Sequence, residues 1–277
     1  MTLSFKGTLP SSLSGINKLT IFGYCRKTPY AIFGPPKEGK SIFALQESLY
    51  LAKQMEKNIL WIDTEGAPVF INIWLDVLKK RFDTDVEVVY KDLRRIEDIL
   101  AFHGYNVELK VEKTGKIETL FRGFTTPEIE KVIKEKDIGV LVYDSMSNPL
   151  KMSYPGGRMN FPARADAIDM WLSAVHSYSL DNDLVSLVVH HHSVDPTNPY
   201  AEPRVIGGQT IMYNFKVVLY LTQRKFKPHS SVRDVFLARY YNKKEWAESV
   251  PIILTDKGYY DITPDELARM AKGGKGG

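Results

Sequence analysis

Gly34-Pro35-Pro36-Lys37-Glu38-Gly39-Lys40-Ser41 fills every fixed position of the pattern G-x-x-x-x-G-K-[ST], the loop that wraps nucleotide phosphates. A glycine-containing turn of this kind points several backbone N–H groups at the β- and γ-phosphates. Lys40 adds a point charge, and the Ser41 hydroxyl ligates Mg²⁺. Pro35 and Pro36 have no N–H to offer, so the donors are expected further on, from Glu38 through Ser41. The whole expected contact stretch runs from Gly34 to Ile42. Its flanks agree: Tyr30-Ala31-Ile32-Phe33 is a short apolar run of strand type, and Ile42, Leu45, Leu49, Ala52 and Met55 recur at helical spacing behind it.

Outward from this loop the chain reads as α/β. Asn58–Asp63, Ile138–Tyr143, Leu184–Val189 and Phe215–Leu221 are further apolar runs, and helical segments at 67–81, 127–136 and 163–180 separate them. Continuous apolar strands alternating with helices predict a mainly parallel sheet covered on both faces. Polar residues gather where these strands end: Asp63-Thr64-Glu65-Gly66, Asp144-Ser145 and His190-His191-His192. Open α/β sheets bind ligands at that edge. Asp144 is placed to hold Mg²⁺ through water, and Glu65 to orient or deprotonate an attacking water.

Residues 105–121 break the pattern. Tyr105, Val107, Leu109 and Val111 alternate with polar residues and a return strand begins at Ile117, which predicts a hairpin insertion at about 103–123 with one apolar face. It is either an ornament on the sheet or a contact surface. Residues 1–29 read as a lead-in, 30–263 as the core, and 264–277 as a tail whose glycine-rich end is expected to be disordered.

Composition narrows the class. The chain has 277 residues, enough to bury a full core, and its net charge of +4 permits nucleic acid as a partner without demanding it. The single Cys25 rules out an internal disulfide and any multi-cysteine metal site. No apolar run approaches the ~20 residues that span a bilayer, so a soluble, cytoplasmic protein is expected. The three adjacent histidines do not suit one metal ion, because neighbouring strand side chains point to opposite faces.

At this point Trp61-Ile62-Asp63-Thr64-Glu65-Gly66 resembles the Y-I-D-T-E-G signature of archaeal RadA and eukaryotic strand-exchange recombinases. Arg158-Met159-Asn160-Phe161-Pro162-Ala163-Arg164 is similar to the R-G-x-L-x-x-R-Q segment of their first DNA-binding loop. Val205-Ile206-Gly207-Gly208 resembles the P-I-G-G closing the second. The resemblance implies a RecA-like ATPase core using ATP and Mg²⁺, with Lys40, Glu65 and His192 in the catalytic roles. His192 stands where the family has its γ-phosphate-sensing glutamine. Lys151 to Arg164, which contains glycine and proline, reads as a mobile basic loop, and the resemblance implies single-stranded DNA as a ligand of Lys151, Arg158, Arg164 and Arg204, with a recombinase or other RecA-family protein as partner.

Departures shape the expectation. Asn242 and the Lys243-Lys244 pair stand at the family's nucleotide cap, where a residue reaches a neighbour's nucleotide in a ring or filament. No helix-hairpin-helix module precedes the core. A core-only recombinase paralogue or mediator is therefore expected. A KaiC-like signalling ATPase that acts on a protein partner without DNA, and a non-hydrolysing structural partner, stay open beside it.

Overall fold

The computed structural model describes residues 7–21, 23–155, 157–193, 204–205, 214–224, 231–240 and 249–272. Asn242, Lys243 and Lys244 lie outside them, as do residues 206–208 and 273–277. Within the described residues the strands are β1 (Thr8–Leu9), β2 (Tyr24–Cys25), β3 (Thr28–Gly34), β4 (Asn58–Asp63), β5 (Val88–Asp92), β6 (Tyr105–Val111), β7 (Ile117–Phe124), β8 (Ile138–Asp144), β9 (Val185–Ser193), β10 (Arg204–Val205), β11 (Val217–Gln223), β12 (Val232–Tyr240), β13 (Ser249–Thr255) and β14 (Gly258–Asp261). The helices are α1 (Ser14–Leu19), α2 (Lys40–Met55), α3 (Pro68–Phe82), α4 (Ile96–Phe102), α5 (Glu128–Glu135), α6 (Ser147–Ser153), α7 (Phe161–Asp181) and α8 (Pro264–Lys272).

One large sheet runs in the order β14-β13-β12-β11-β3-β9-β8-β4-β5. The six strands from β11 to β5 are parallel, and β12 to β14 extend the sheet antiparallel. The apolar runs predicted this mainly parallel sheet, and the family resemblance predicted its RecA-like form. Alternation along each strand divides the core in two. Phe33, Ile62, Tyr143 and Val188 face one layer with α4 to α7, while Ile32, Trp61, Val142 and Val189 face the other with α2. The crossover from β3 through α2 to β4 passes over two positions, later filled by β9 and β8. All parallel strands thus end along one edge, bringing Gly34, Asp63, Asp144 and His191 there together.

Four details depart from the sequence reading. The histidines do not follow the fourth apolar strand but lie within it, since β9 runs on to Ser193. Residues 151–164, expected as a mobile loop, are the end of α6, a 3₁₀ turn at Gly157–Asn160 and the start of α7. Long-range anchors order them: Tyr154 is buried, and the Asn160 side chain accepts the Ile117 N–H at 2.8 Å. Pro162 in the first turn suits a helix start. Strand β5 and helix α4 were not foreseen. The expected tail begins with α8, whose Thr263 and Glu266 form a capping box, Thr263 N–H donating to Oε2 at 2.9 Å.

The hairpin of β6 and β7 forms as expected. Tyr105, Val107 and Leu109 lay its apolar face on the core, while Val111 stays exposed. No helix among the described residues is long and apolar enough to cross a membrane.

Candidate nucleotide site

The phosphate loop starts where β3 ends. A Cβ on Gly34 would lie 2.0 Å from the Leu221 carbonyl oxygen, so only glycine lets β3 pass β11 there. Gly39 turns the chain into α2 at φ +84°, and its missing Cβ leaves room for the Tyr259 hydroxyl, which would otherwise sit 2.3 Å away. Lys40 is buried at the helix start. Its ammonium reaches back to the Pro35 carbonyl at 2.6 Å. Burial lowers its pKa to about 8, which leaves it mostly charged at neutral pH.

A cavity of about 400 Å³ opens over this loop, lined by Lys37, Lys40, Ser41, Glu65, Asp144 and His191 among others. Asp144, at the end of β8, is 6% exposed. Burial first, and the nearby charge of Glu65 second, push its carboxyl up to about 7, against a hydrogen bond from Ser41. A hydroxyl and a buried carboxylate in contact fit a hard cation that takes its other oxygens from phosphates and water. Ser41 and Asp144 are therefore the residues that suit Mg²⁺, although no cluster of three or more His, Cys, Asp or Glu side chains forms a metal cage among the described residues.

Glu65 is carried on a turn built by its neighbours. The Asp63 carboxylate accepts the N–H groups of Glu65, Gly66 and Ala67 at 2.7, 3.0 and 2.9 Å, and also the Tyr90 hydroxyl. Thr64 ties this turn to the end of β8, its hydroxyl donating to the Ser145 carbonyl at 2.6 Å. The Glu65 carboxylate then accepts hydrogen bonds from the Ser145 hydroxyl at 2.8 Å and His191 Nε2 at 2.7 Å. The His191 bond, ahead of the opposing effect of burial, holds Glu65 below the usual carboxylate range.

The histidine at this carboxylate is thus His191 and not His192. On β9, residues 187, 189 and 191 share the α2 face with the phosphate loop, whereas 188, 190 and 192 face α7. His192 lies against Tyr220, Nδ1 being 3.2 Å from the phenol oxygen. His190 is fully buried beside Phe215, and burial lowers its pKa to about 3. The strand periodicity that argued against a three-histidine metal site also carried the signal for His191, once β9 was extended through all three residues.

The expected DNA contacts separate. Lys151 is exposed on α6, close enough for its charge to depress Lys40. Arg164 turns inward: its guanidinium donates to the Tyr154 carbonyl at 2.9 Å and sits 5.5 Å from the Phe161 ring centroid. A side chain so engaged braces the start of α7, which corrects its expected place in a mobile loop. Arg158 lies in the 3₁₀ turn and Arg204 in β10.

Fold and cradle together define the class, a RecA-like α/β core with a phosphate-loop crevice at its parallel edge. The crystal structure of the RadB recombinase matches 95% of this chain and 100% of its own, with a TM-score of 0.60 at 16% identity. That likeness speaks for the fold. A segment of 94 residues is 32% identical to the DNA repair protein RAD55 of Saccharomyces cerevisiae, covering 32% of this chain and 22% of that protein. The match thus spans about a fifth of the curated relative's length. No family model matches. The likeness to RAD55 covers a third of this chain, and the likeness to RadB is one of fold.

Proposed function

We propose that this chain is a Mg²⁺-dependent ATPase of the RecA/RadA type that binds single-stranded DNA and assists recombinational repair as a recombinase paralogue or mediator. The observation that carries the reading is the convergence of Lys40, Ser41, Asp144 and Glu65 on one crevice at the carboxyl edge of a parallel sheet. Lys40 and the amides of residues 38–42 hold the β- and γ-phosphates, with Gly34 to Lys37 shaping the turn before them. Ser41 and Asp144 would hold Mg²⁺, which would supply charge stabilisation on the phosphoryl oxygens. Glu65 orients the attacking water, and the His191 and Ser145 bonds hold its carboxylate ionised and aimed. His191 takes the sensing role first expected of His192, because it joins Glu65 to the end of β9.

Downstream of β9 come Arg204 and the region resembling the second DNA loop, so a shift at Glu65 on hydrolysis has a direct strand to follow. Lys151 and Arg158 supply phosphate contacts beside it. Asn242, Lys243 and Lys244, which lie outside the described residues, stand in the sequence where the resembling family caps a neighbouring subunit's nucleotide, and that role would tie activity to assembly with a second copy or another RecA-family protein. The inward turn of Arg164 favours the second reading, a KaiC-like switch that acts through a protein partner, because it removes one of the cations counted for DNA.

ATP turnover with and without single-stranded DNA separates the two. The comparison pairs wild type with Arg158→Ala plus Arg204→Ala and leaves Arg164 in place, since Arg164→Ala would loosen α7. Stimulation lost in the double variant supports the DNA-coupled reading. ATP binding without DNA binding or stimulation moves the assignment to the switch.

A further inference from the structure

Two residues far along the chain close on the phosphate loop from outside the cavity. The Tyr259 hydroxyl, at the start of the β14 hairpin arm, donates to the Glu38 carbonyl at 3.0 Å and lies 3.4 Å from the Gly39 carbonyl. Arg233 Nε, on β12, donates to the same Glu38 carbonyl at 3.1 Å and stands 2.9 Å from the Glu38 carboxylate. Neither side chain is loosely held. Tyr259 is fully buried with its ring edge-on to Phe43, and Arg233 lies where β12 is paired on both sides, opposite Gln223 and Ile252.

The planarity of the peptide gives these contacts their consequence. In a trans peptide the C=O and the following N–H point opposite ways. Pinning the Glu38 carbonyl toward β12 and β14 turns the Gly39 N–H the other way, toward the cavity. Drawing the Gly39 carbonyl to the same side, where it also accepts the Phe43 N–H, does the same for the Lys40 N–H. The carboxylate of Glu38 is a separate matter. It is a negative charge carried by the very loop that must accept phosphates, and Arg233 stands against it.

We propose that Arg233 and Tyr259 are positioning residues for phosphate binding: they aim the loop's amides inward, and Arg233 cancels the repulsion that Glu38 would exert on the anion. The proposal rests on the phosphate-site reading and deepens it. It makes the antiparallel extension of the sheet a working part of the nucleotide site, so that whatever displaces β12 or β14 also releases nucleotide. Both residues act on the loop through Glu38 and Gly39 and not on one phosphate group, so ATP and ADP affinities move together.

Calorimetric titration with ATP and with ADP tests it. Arg233→Met is expected to weaken both by about 10- to 50-fold, the effect of one uncompensated charge at close range in a partly buried site. Adding Glu38→Gln to Arg233→Met should restore affinity to within about threefold, because the repelling charge is gone. Tyr259→Phe removes one neutral hydrogen bond and should cost about three- to tenfold. A merely structural Arg233 would not be rescued by Glu38→Gln. Unchanged affinity in Arg233→Met, or a folded double variant that stays weak, overturns the proposal. Should Arg233→Met fail to fold, Glu38→Gln alone decides: tighter binding supports the brace, and weaker or unchanged binding overturns it. A wild type that binds neither nucleotide overturns the phosphate-site reading itself, and the brace with it.

Discussion

Asp144→Asn should stabilise the nucleotide-free protein, and the gain should grow with pH. The carboxyl ionises at about 7 in the folded chain against 3.8 for a free aspartate, raised chiefly by burial and then by the charge of Glu65. An acid with a raised folded pKa holds its proton better folded than unfolded. Its favourable contribution is therefore complete below about pH 4 and is lost as pH rises through about 7. One unit corresponds to about 1.4 kcal/mol, so the loss is about 4 kcal/mol by pH 8 and roughly 2 kcal/mol at pH 5. Asparagine does not titrate, so the stability gap between variant and wild type should widen by about 2–3 kcal/mol between pH 5 and pH 8. That corresponds to about 3–5 °C in melting temperature for a chain of this size. Urea unfolding followed by the fluorescence of buried Trp61 and Trp171 at both pH values measures it. Mg²⁺ with ATP should return the lost stability to wild type at pH 8, with a smaller effect on the variant, because the cation takes the place of the proton. A gap that is equal at pH 5 and pH 8 would refute the reasoning, and with it the view of Asp144 as a buried carboxylate waiting for positive charge.

Lys40→Ala should lower ATP affinity by on the order of 100-fold, since it removes the charge at the phosphates; unchanged affinity in a titration would sink the nucleotide assignment. Glu65→Gln should keep ATP binding while cutting turnover by about 10²- to 10³-fold, read as kcat against KM. His191→Phe should depress turnover through Glu65 and move the acid limb of the pH–rate profile to higher pH, because the bond that lowers the Glu65 carboxyl is lost, whereas His192→Phe should leave that profile intact; equal effects of the two would undo the distinction drawn from β9. Gly34→Ala should destabilise the fold by about 1–3 kcal/mol, because its methyl meets the Leu221 carbonyl at 2.0 Å; a melt within about 1 °C of wild type contradicts that contact.

Much of the fold was legible because buried parallel strands write themselves as unbroken apolar runs, and β3, β4, β8, β9 and β11 are of that kind. Strand β5 is not. It is a half-buried edge strand whose Lys91 pairs with Glu128 on α5, so no continuous run marks it. Residues 151–164 were misread because glycine and proline signal a loop locally, while Asn160 on Ile117 and Arg164 on Tyr154 fix them through tertiary contacts. Within the site, the loop, Glu65 and Asp144 could be read because strand ends advertise themselves. The brace could not: Arg233 and Tyr259 reach Glu38 across 195 and 221 residues, and nothing local to either of them hints at the meeting. Choosing among His190, His191 and His192 required the strand's last residue, the least certain thing in any reading from sequence.

The three carboxylates at this edge show why environment, more than position, assigns their work. Asp63, Glu65 and Asp144 end or follow adjacent parallel strands, and sequence alone makes any of them a candidate for metal or water. Asp63 accepts three backbone N–H groups and a tyrosine hydroxyl, so its oxygens are committed to shaping the turn. Glu65 is held by a serine and a histidine, kept ionised, and left partly open to the cavity, which suits a group that must take a proton from water. Asp144 is buried beside other negative charges, and the Ser41 hydroxyl and the more weakly acting Lys40 ammonium do not offset that burial, so its ionised form is less favoured than that of Glu65. A cation is what that site lacks energetically. Divergent environments around chemically equal groups therefore separate a turn-former from two candidates, and the proposed roles of Glu65 as base and Asp144 as metal ligand follow from what each carboxylate already has and what it still needs.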